Sequence, residues 1–174
     1  KILKMAKKKE EELARKDPLT SLANRRCAYE KLEEESHRFK RYGIPFSVIL
    51  ADIDYFKEIN DRYGHECGDL VLKTFADILK NSIRAIDTAT RWGGEEFLLI
   101  LPETNLEGAL ILAEKLREKI SSAEISYKGE IIKITSTFGV AQYNGCEIEN
   151  ILREVDSALY SGKKAGRNRV ELKH

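Results

Sequence analysis

Asp52 and Asp54 close a β-rich run, and Glu95 and Glu96 directly follow the double glycine Gly93-Gly94. If the two segments are neighbouring strands, Asp52 and Glu95 face the same edge of one sheet. Carboxylate oxygens gathered this way suit Mg²⁺, which takes few protein ligands and completes its shell with water and phosphate. Paired metals would then stabilise the attacking and leaving oxygens of a phosphoryl transfer. The plainer reading is that an Asp after a strand and a Glu in a hairpin are solvated turn residues. The glycines weigh against it, because they permit positive φ and remove side-chain bulk where backbone passes close to a nucleotide, although ordinary hairpins use the same pair.

Those carboxylates need elements to hold them. Lys1 to Lys16 are good helix formers with scattered apolar positions (Ile2, Leu3, Met5, Ala6, Leu13), and Asp17-Pro18 is expected to stop the run. This segment reads either as a solvated helix or as a coiled-coil stalk. A second helix is expected over Asn24 to Tyr42 and a strand over Phe46 to Ile53. After them come a short helical turn, a break at Gly64, and a long helix with Leu72, Phe75, Ile78 and Leu79 on one face. A hairpin of Thr88 to Trp92 and Glu95 to Leu101 turns at Gly93-Gly94. A helix over Leu106 to Ile120, a β pair turning at Lys128-Gly129, a helix over Ile148 to Ser161 and a strand near Arg169 to Leu172 complete the order. Helices and strands mixed around a central hairpin predict an α+β fold. The sheet is expected to be mixed and mainly antiparallel, flanked by helices, of the ferredoxin-like or polymerase-palm kind.

The 174 residues, 42% hydrophobic and 34% charged, are enough for one core. We expect a leading helical arm over residues 1–16, serving as a signalling linker, and one domain over 17–174. The formal net charge of +1 speaks against a surface built to grip DNA, RNA or an anionic membrane. No apolar stretch approaches the roughly 20 residues of a membrane span, and the lysine-rich start is not a signal peptide. Cys27, Cys67 and Cys146 form neither a CxxC pair nor an even set, so a reducing cytoplasm is the expected compartment. The chain opens at Lys1 as if in mid-helix, which suggests the cytoplasmic portion of a longer sensor protein with a sensor or receiver domain upstream.

Five stretches resemble, in order, the signatures of the GGDEF family of diguanylate cyclases. They are Asp17-Pro-Leu-Thr-Ser-Leu-Ala-Asn-Arg-Arg26, Asp52-Ile-Asp-Tyr-Phe-Lys-Glu-Ile-Asn-Asp61, Gly64-His-Glu-Cys-Gly-Asp69, Arg91-Trp-Gly-Gly-Glu-Glu-Phe97 and Lys163-Lys-Ala-Gly-Arg-Asn168. The hairpin carries the GGEEF form that resembles active members, and the notable departure is Ser21, where the family usually has glycine. The resemblance implies an enzyme that condenses two GTP into cyclic di-GMP across a homodimer interface and releases two pyrophosphates. It implies Mg²⁺, with Mn²⁺ as an alternative, held by Asp52, the carbonyl of Ile53 and Glu95, with Glu96 as an additional ligand. Glu95 is also the candidate to accept the proton of the attacking 3′-hydroxyl. Lys57, with a catalytic role, and Lys163 and Arg167 would hold the triphosphate and offset charge on the leaving pyrophosphate.

Guanine offers N1 and N2 donors, which a carboxylate such as Asp69 complements, while the amide of Asn60 can donate and accept. His65 would cap the following helix or bridge to substrate. Phe56, Gly93 and Gly94 complete the substrate-binding candidates, with Phe56, Tyr55 and Trp92 serving mainly in packing. Arg84 and Asp87 match the family's RxxD inhibitory site, which implies binding of the cyclic di-GMP product and feedback inhibition; as a bare pair they are an ordinary surface ion pair at a helix end. The competing function is a non-catalytic cyclic di-GMP receptor signalling through Arg84 and Asp87. Intact Asp52, Lys57 and Glu95 weigh against that alternative, and Asp69 weighs against a cyclase making a mixed dinucleotide.

Overall fold

In a computed structural model, which describes residues 1–173, the chain runs through thirteen elements. They are α1 (Ile2–Leu13), α2 (Arg25–Tyr42), β1 (Phe46–Ile53), α3 (Phe56–Tyr63), α4 (His65–Ser82), β2 (Thr88–Arg91), β3 (Glu96–Pro102), α5 (Leu106–Ser122), β4 (Ile125–Tyr127), β5 (Glu130–Ile132), β6 (Ser136–Gln142), α6 (Ile148–Lys164) and β7 (Val170–Leu172). Five strands form one sheet in the order β2-β3-β1-β6-β7, with only the β6 and β7 pair parallel. The α+β class and mainly antiparallel sheet expected from the sequence are both present.

All eight residues of β1 are buried, as befits a central strand covered on both faces. Successive side chains alternate between the faces. Ile49, Ala51 and Ile53 join Phe97, Leu99, Phe138 and the inner sides of α4 and α5 in one core, while Phe46, Val48 and Leu50 join Leu98, Ile100 and the inner sides of α2 and α6 in the other. The cap residues follow the local chemistry. The Asn24 side chain accepts from Cys27 N at 3.0 Å to start α2, and Gly43 ends it in the left-handed region at φ 69°.

Two elements differ from expectation. Helix α1 ends at Leu13, short of Asp17-Pro18, because Asn24 takes over the next backbone groups. Its side chain donates to the Ala14 carbonyl, its amide donates to Arg15 O at 2.8 Å, and Lys16 bridges to Ala23. The β pair at Lys128-Gly129 is present, yet it forms a separate two-stranded ribbon, and the strand that flanks β1 is β6, which the sequence reading passed over. Its polar residues Ser136 and Thr137 mask the strand pattern. Both are buried, and their hydroxyls donate to the Asp52 carbonyl (2.7 Å) and to Asp54 Oδ1 (2.6 Å).

Helix α6 lies directly on β6 because two glycines clear its path. A Cβ on Gly139 would stand 2.3 Å from the Val155 carbonyl oxygen, and one on Gly162 would stand 2.6 Å from Thr137. We expect Gly139→Ala to destabilise the protein by about 2–3 kcal/mol, because backbone of α6 must shift to admit the methyl group; urea unfolding measures it. Ser21, by contrast, sits in the left-handed region at φ 62°. For Ser21→Gly, relief of roughly 1–2 kcal/mol of strain against about 0.4–1 kcal/mol of added unfolded-state entropy leaves an expected gain of about 0.5–1 kcal/mol, read as a higher urea midpoint.

Candidate active site

The register of the sheet builds the acidic edge. Asp52 on β1 faces Glu96 on β3 across the ladder, and Glu95 lies one residue further, in the turn, with its carbonyl accepting from Ile53 N at 3.3 Å. A cleft of about 200 Å³ opens there, lined by Asp52, Ile53, Asp54, Tyr55, Phe56, Lys57, Glu58, Glu95, Lys163 and Arg167. Seven of the residues singled out from the sequence thus meet in one place: Asp52, Ile53, Phe56, Lys57, Glu95, Lys163 and Arg167. They arrive from β1, α3, the β2-β3 turn, the end of α6 and the loop after it.

The edge is short of positive charge. Burial pushes the Asp52 carboxyl above the ordinary carboxylate range; the Lys163 ammonium, which donates to its Oδ2, pulls back, and Asp54 adds to the rise. Burial and then the charge of Asp52 push Glu95 and Glu96 upward as well. A raised carboxyl pKa at a cleft marks a group that gains from a cation or from taking a proton. Among the described residues no three metal-ligating side chains close a cage. Asp52 and Glu95 instead offer hard oxygens on one open cleft, a donor set that fits Mg²⁺ completed by water and phosphate. Glu96 does not line the cleft. As the cross-strand partner of Asp52 it stands on the same face of the sheet, where the charges of Asp52, Lys163, Asp156 and Arg25 reach it.

The turn itself is held by Arg91. Its Nη2 donates to the Gly94 carbonyl at 2.9 Å, and its Nη1 donates to Asp17 at 3.2 Å. Neither Gly93 nor Gly94 occupies the left-handed region, so the expected need for positive φ is absent. Both border open space: a Cβ on Gly94 would meet nothing within 4 Å, and one on Gly93 would make only ordinary contact with Glu96.

Asn60, His65 and Asp69 lie outside the lining of the cleft, on α3 and α4. Asn60 Oδ1 is buried and has no hydrogen-bond partner among the described residues. It sits in a niche made by Gly68, where a Cβ would come within 1.8 Å of it. An orphaned acceptor of this kind suits an incoming N–H donor. Asp69 is exposed, and so is His65, the first residue of α4. The capping role expected for His65 is absent, because Gly64 holds the cap position and no side chain bonds there.

Arg84 and Asp87 lie in the loop after α4, not on the helix end. They bind each other through Arg84 Nε (3.2 Å) and Nη2 (3.0 Å), and Nη2 also reaches Pro102 O and Thr104 Oγ1. They line a cavity of about 490 Å³ with Glu103, Thr104 and Asn105. This cavity borders the Phe46 and Pro102 end of the β1-β3 ladder, roughly 20 Å along the strands from Asp52.

Gly68 and the Asp17 and Arg91 pair carry no assigned role in the sequence, and Tyr55 reads there only as packing. Glycine in a helix interior is itself a signal, since it destabilises unless space is needed. Tyr55 had a weaker one, a bulky residue that turns out to lie at φ 56° with the Arg167 guanidinium 4.9 Å from its ring.

The family model described as "Diguanylate cyclase, GGDEF domain" matches residues 14–169. Diguanylate cyclase DgcP of Pseudomonas aeruginosa is 43% identical over 157 residues, covering 90% of this chain and 23% of that protein. Diguanylate cyclase DgcM of Escherichia coli is 44% identical over 161 residues, covering 92% of this chain and 38% of that protein. The chain therefore spans well under half the length of these relatives. Among solved structures, the coiled coil and GGDEF domain of DgcB from Caulobacter crescentus, in complex with c-di-GMP, superposes with a TM-score of 0.92 at 29% identity, covering 97% of this chain and 91% of that one. With the family model matched over residues 14–169, which include every residue lining the cleft, this chain belongs to the GGDEF domain family of diguanylate cyclases.

Proposed function

We propose that the chain is a diguanylate cyclase, condensing two GTP into cyclic di-GMP with release of two pyrophosphates. The observation that carries this reading is the convergence of Asp52, Lys57, Glu95, Lys163 and Arg167 on one cleft: carboxylates for a divalent cation beside cations for a triphosphate. The naming of DgcP and DgcM as diguanylate cyclases supports it.

Asp52 and Glu95, with the Ile53 carbonyl, would hold Mg²⁺ or Mn²⁺, with Glu96, the cross-strand neighbour of Asp52, as an additional ligand. The ion supplies Lewis-acid stabilisation of phosphoryl oxygens when bound. The 3′-oxygen of one GTP forms a bond to the α-phosphorus of the other, and the bond from that phosphorus to the pyrophosphate oxygen breaks. Glu95, whose pKa is raised by burial and by Asp52, accepts the hydroxyl proton. Lys57, Lys163 and Arg167 bind the triphosphate and offset charge on the departing pyrophosphate. With Asp52 engaged by a cation, the Lys163 ammonium that now donates to it would be free to turn to phosphate. Asn60 and Asp69 read the guanine edge, with His65 and Phe56 beside the nucleotide and Gly93-Gly94 leaving room for it.

One cleft per chain serves half of this symmetric reaction, so the second half comes from a second copy in a homodimer. Residues 1–16 act as the signalling helix that links residues 17–174 to an upstream sensor or receiver domain, in the cytoplasm. Cyclic di-GMP bound at Arg84 and Asp87 gives feedback inhibition. Among the described residues no helix is long and apolar enough to cross a membrane.

Incubation with GTP and Mg²⁺ followed by mass analysis should yield cyclic di-GMP; absence of that product across a range of protein concentrations would refute the reading. Asp52→Asn and Glu95→Gln should each lower turnover on the order of a hundredfold or more, with thermal midpoints at or above that of the wild type. Near-normal turnover in either variant at saturating Mg²⁺ would rule out the metal site.

Arg84→Ala should raise the concentration of cyclic di-GMP needed for half-inhibition by roughly tenfold or more. Turnover with and without added product tests it, and equal inhibition of variant and wild type would remove the regulatory role.

A further inference from the structure

Asp54 belongs to the acidic cluster by sequence, yet the proposed reaction assigns it nothing. It is 4% exposed, and its oxygens are taken up by protein donors. Oδ1 accepts from Thr137 Oγ1 at 2.6 Å, and Oδ2 accepts from Thr135 Oγ1 at 2.7 Å and from the backbone N–H of Asn168 at 3.0 Å. The last bond reaches across 114 positions of the chain to the loop that carries Arg167.

That loop is sterically disfavoured. Arg167 (φ 63°) and Asn168 (φ 47°) are consecutive non-glycine residues in the left-handed region, and Tyr55, next to Asp54, is a third at φ 56°. Backbone of this kind persists where its surroundings over-determine it. Four contacts do so here: the Asp54 carboxylate on Asn168 N, Gly162 O accepting from Arg167 N at 3.0 Å, Arg117 Nη1 donating to Asn168 Oδ1 at 3.1 Å, and the Arg167 guanidinium over the Tyr55 ring. Of these, the bond to Asp54 is charge-assisted, partly buried and made to backbone, and its acceptor is a buried side chain next to the central strand.

We propose that Asp54 is a positioning residue for triphosphate recognition: by accepting the Asn168 N–H it holds the loop after α6 in its left-handed form and so fixes Arg167 over the cleft. The inference rests on the cyclase reading, in which Arg167 meets the triphosphate. Asp54 acts through Arg167 and touches neither nucleotide nor ion.

The test compares a nucleotide that has the triphosphate with one that lacks it. Binding of the non-reacting analogue guanosine 5′-[(α,β)-methylene]triphosphate and of GMP is measured by calorimetry with Mg²⁺, alongside kcat and KM for GTP. Asp54→Asn keeps the volume but loses the charge, leaving a single carbonyl oxygen for three donors. It should weaken the triphosphate analogue by about tenfold and leave GMP within about twofold. KM for GTP should rise by a similar factor while kcat at saturation stays within about threefold. Amide exchange at Asn168 should quicken in the same variant, without any nucleotide present. Thr135→Val, which removes one neighbour of Oδ2 and leaves its bond to Asn168 N, should change neither binding nor Asn168 exchange by more than about twofold.

Equal weakening of GMP and the triphosphate analogue by Asp54→Asn would reduce Asp54 to general support of the fold and overturn the proposal. So would unchanged binding together with unchanged Asn168 exchange in a wild type that makes cyclic di-GMP, a result that leaves the cyclase reading standing. A wild type that binds neither nucleotide would instead sink both.

Discussion

Confinement of like charge at one end of the β1-β3 ladder is the constraint on which the rest of the structure depends. Burial pushes the carboxyl groups of Asp52, Glu95 and Glu96 above their ordinary range, with the charge of Asp54 adding to the rise at Asp52 and that of Asp52 adding to the rise at Glu95 and Glu96. Among the described residues, only Lys163 compensates them by direct contact, with Asp52. Left to local preferences, three partly buried carboxylates would turn toward water. They stay because Asp52 is the seventh residue of a fully buried strand whose pairing with β3 and β6 is set by two cores on opposite faces. The sheet thus supplies the energy that an electrostatically unfavourable edge withholds.

Compensation by Lys163 has its own chain of causes. The lysine lies at the end of α6, and α6 can lie against β6 only because Gly139 and Gly162 present no Cβ to it. After α6 the backbone turns through Gly166, Arg167 and Asn168 in the left-handed region and returns to β7, where Asp54 holds it. A glycine on β6 and a carboxylate after β1 therefore decide where two cations stand. On the other flank, Asp17 ties the segment after α1 to Arg91, and Arg91 ties itself to the Gly94 carbonyl beside Glu95. Displacement of the residues that follow α1 would be felt at the peptide carrying Glu95, through two charge-assisted bonds rather than through the core.

Much of this was legible in the residues. The unbroken apolar run of β1, the alternating hairpin and the amphipathic α4 predicted the sheet and its cover, and the motif residues predicted seven lining groups of the cleft. What escaped was non-local. Strand β6 hides because Ser136 and Thr137 look like loop residues until Asp52 and Asp54 are set beside them. Asp54 reads only as a member of the acidic pair for the same reason, since nothing near it in sequence announces three donors from residues 135, 137 and 168. The glycines of the turn invited an argument from backbone freedom, whereas the structure sets them beside open space.

That open space bears on how a symmetric reaction fits an asymmetric cleft. Gly94 faces open space, and Glu95 stands beside it with a carboxyl poised to lose charge to a cation or gain a proton. The walls of the cleft come from β1, α3, the end of α6 and the loop after it, with Glu95 on the β2-β3 turn closing them. On the proposed reading, the triphosphate occupies that walled side and the attacking hydroxyl must come from the open one. A side chain at position 93 or 94 would stand in its path, so the double glycine is a requirement of the approach and not of the turn. On the same reading, the walled side holds one nucleotide and its leaving pyrophosphate, and the open side is where the nucleotide of another copy would enter.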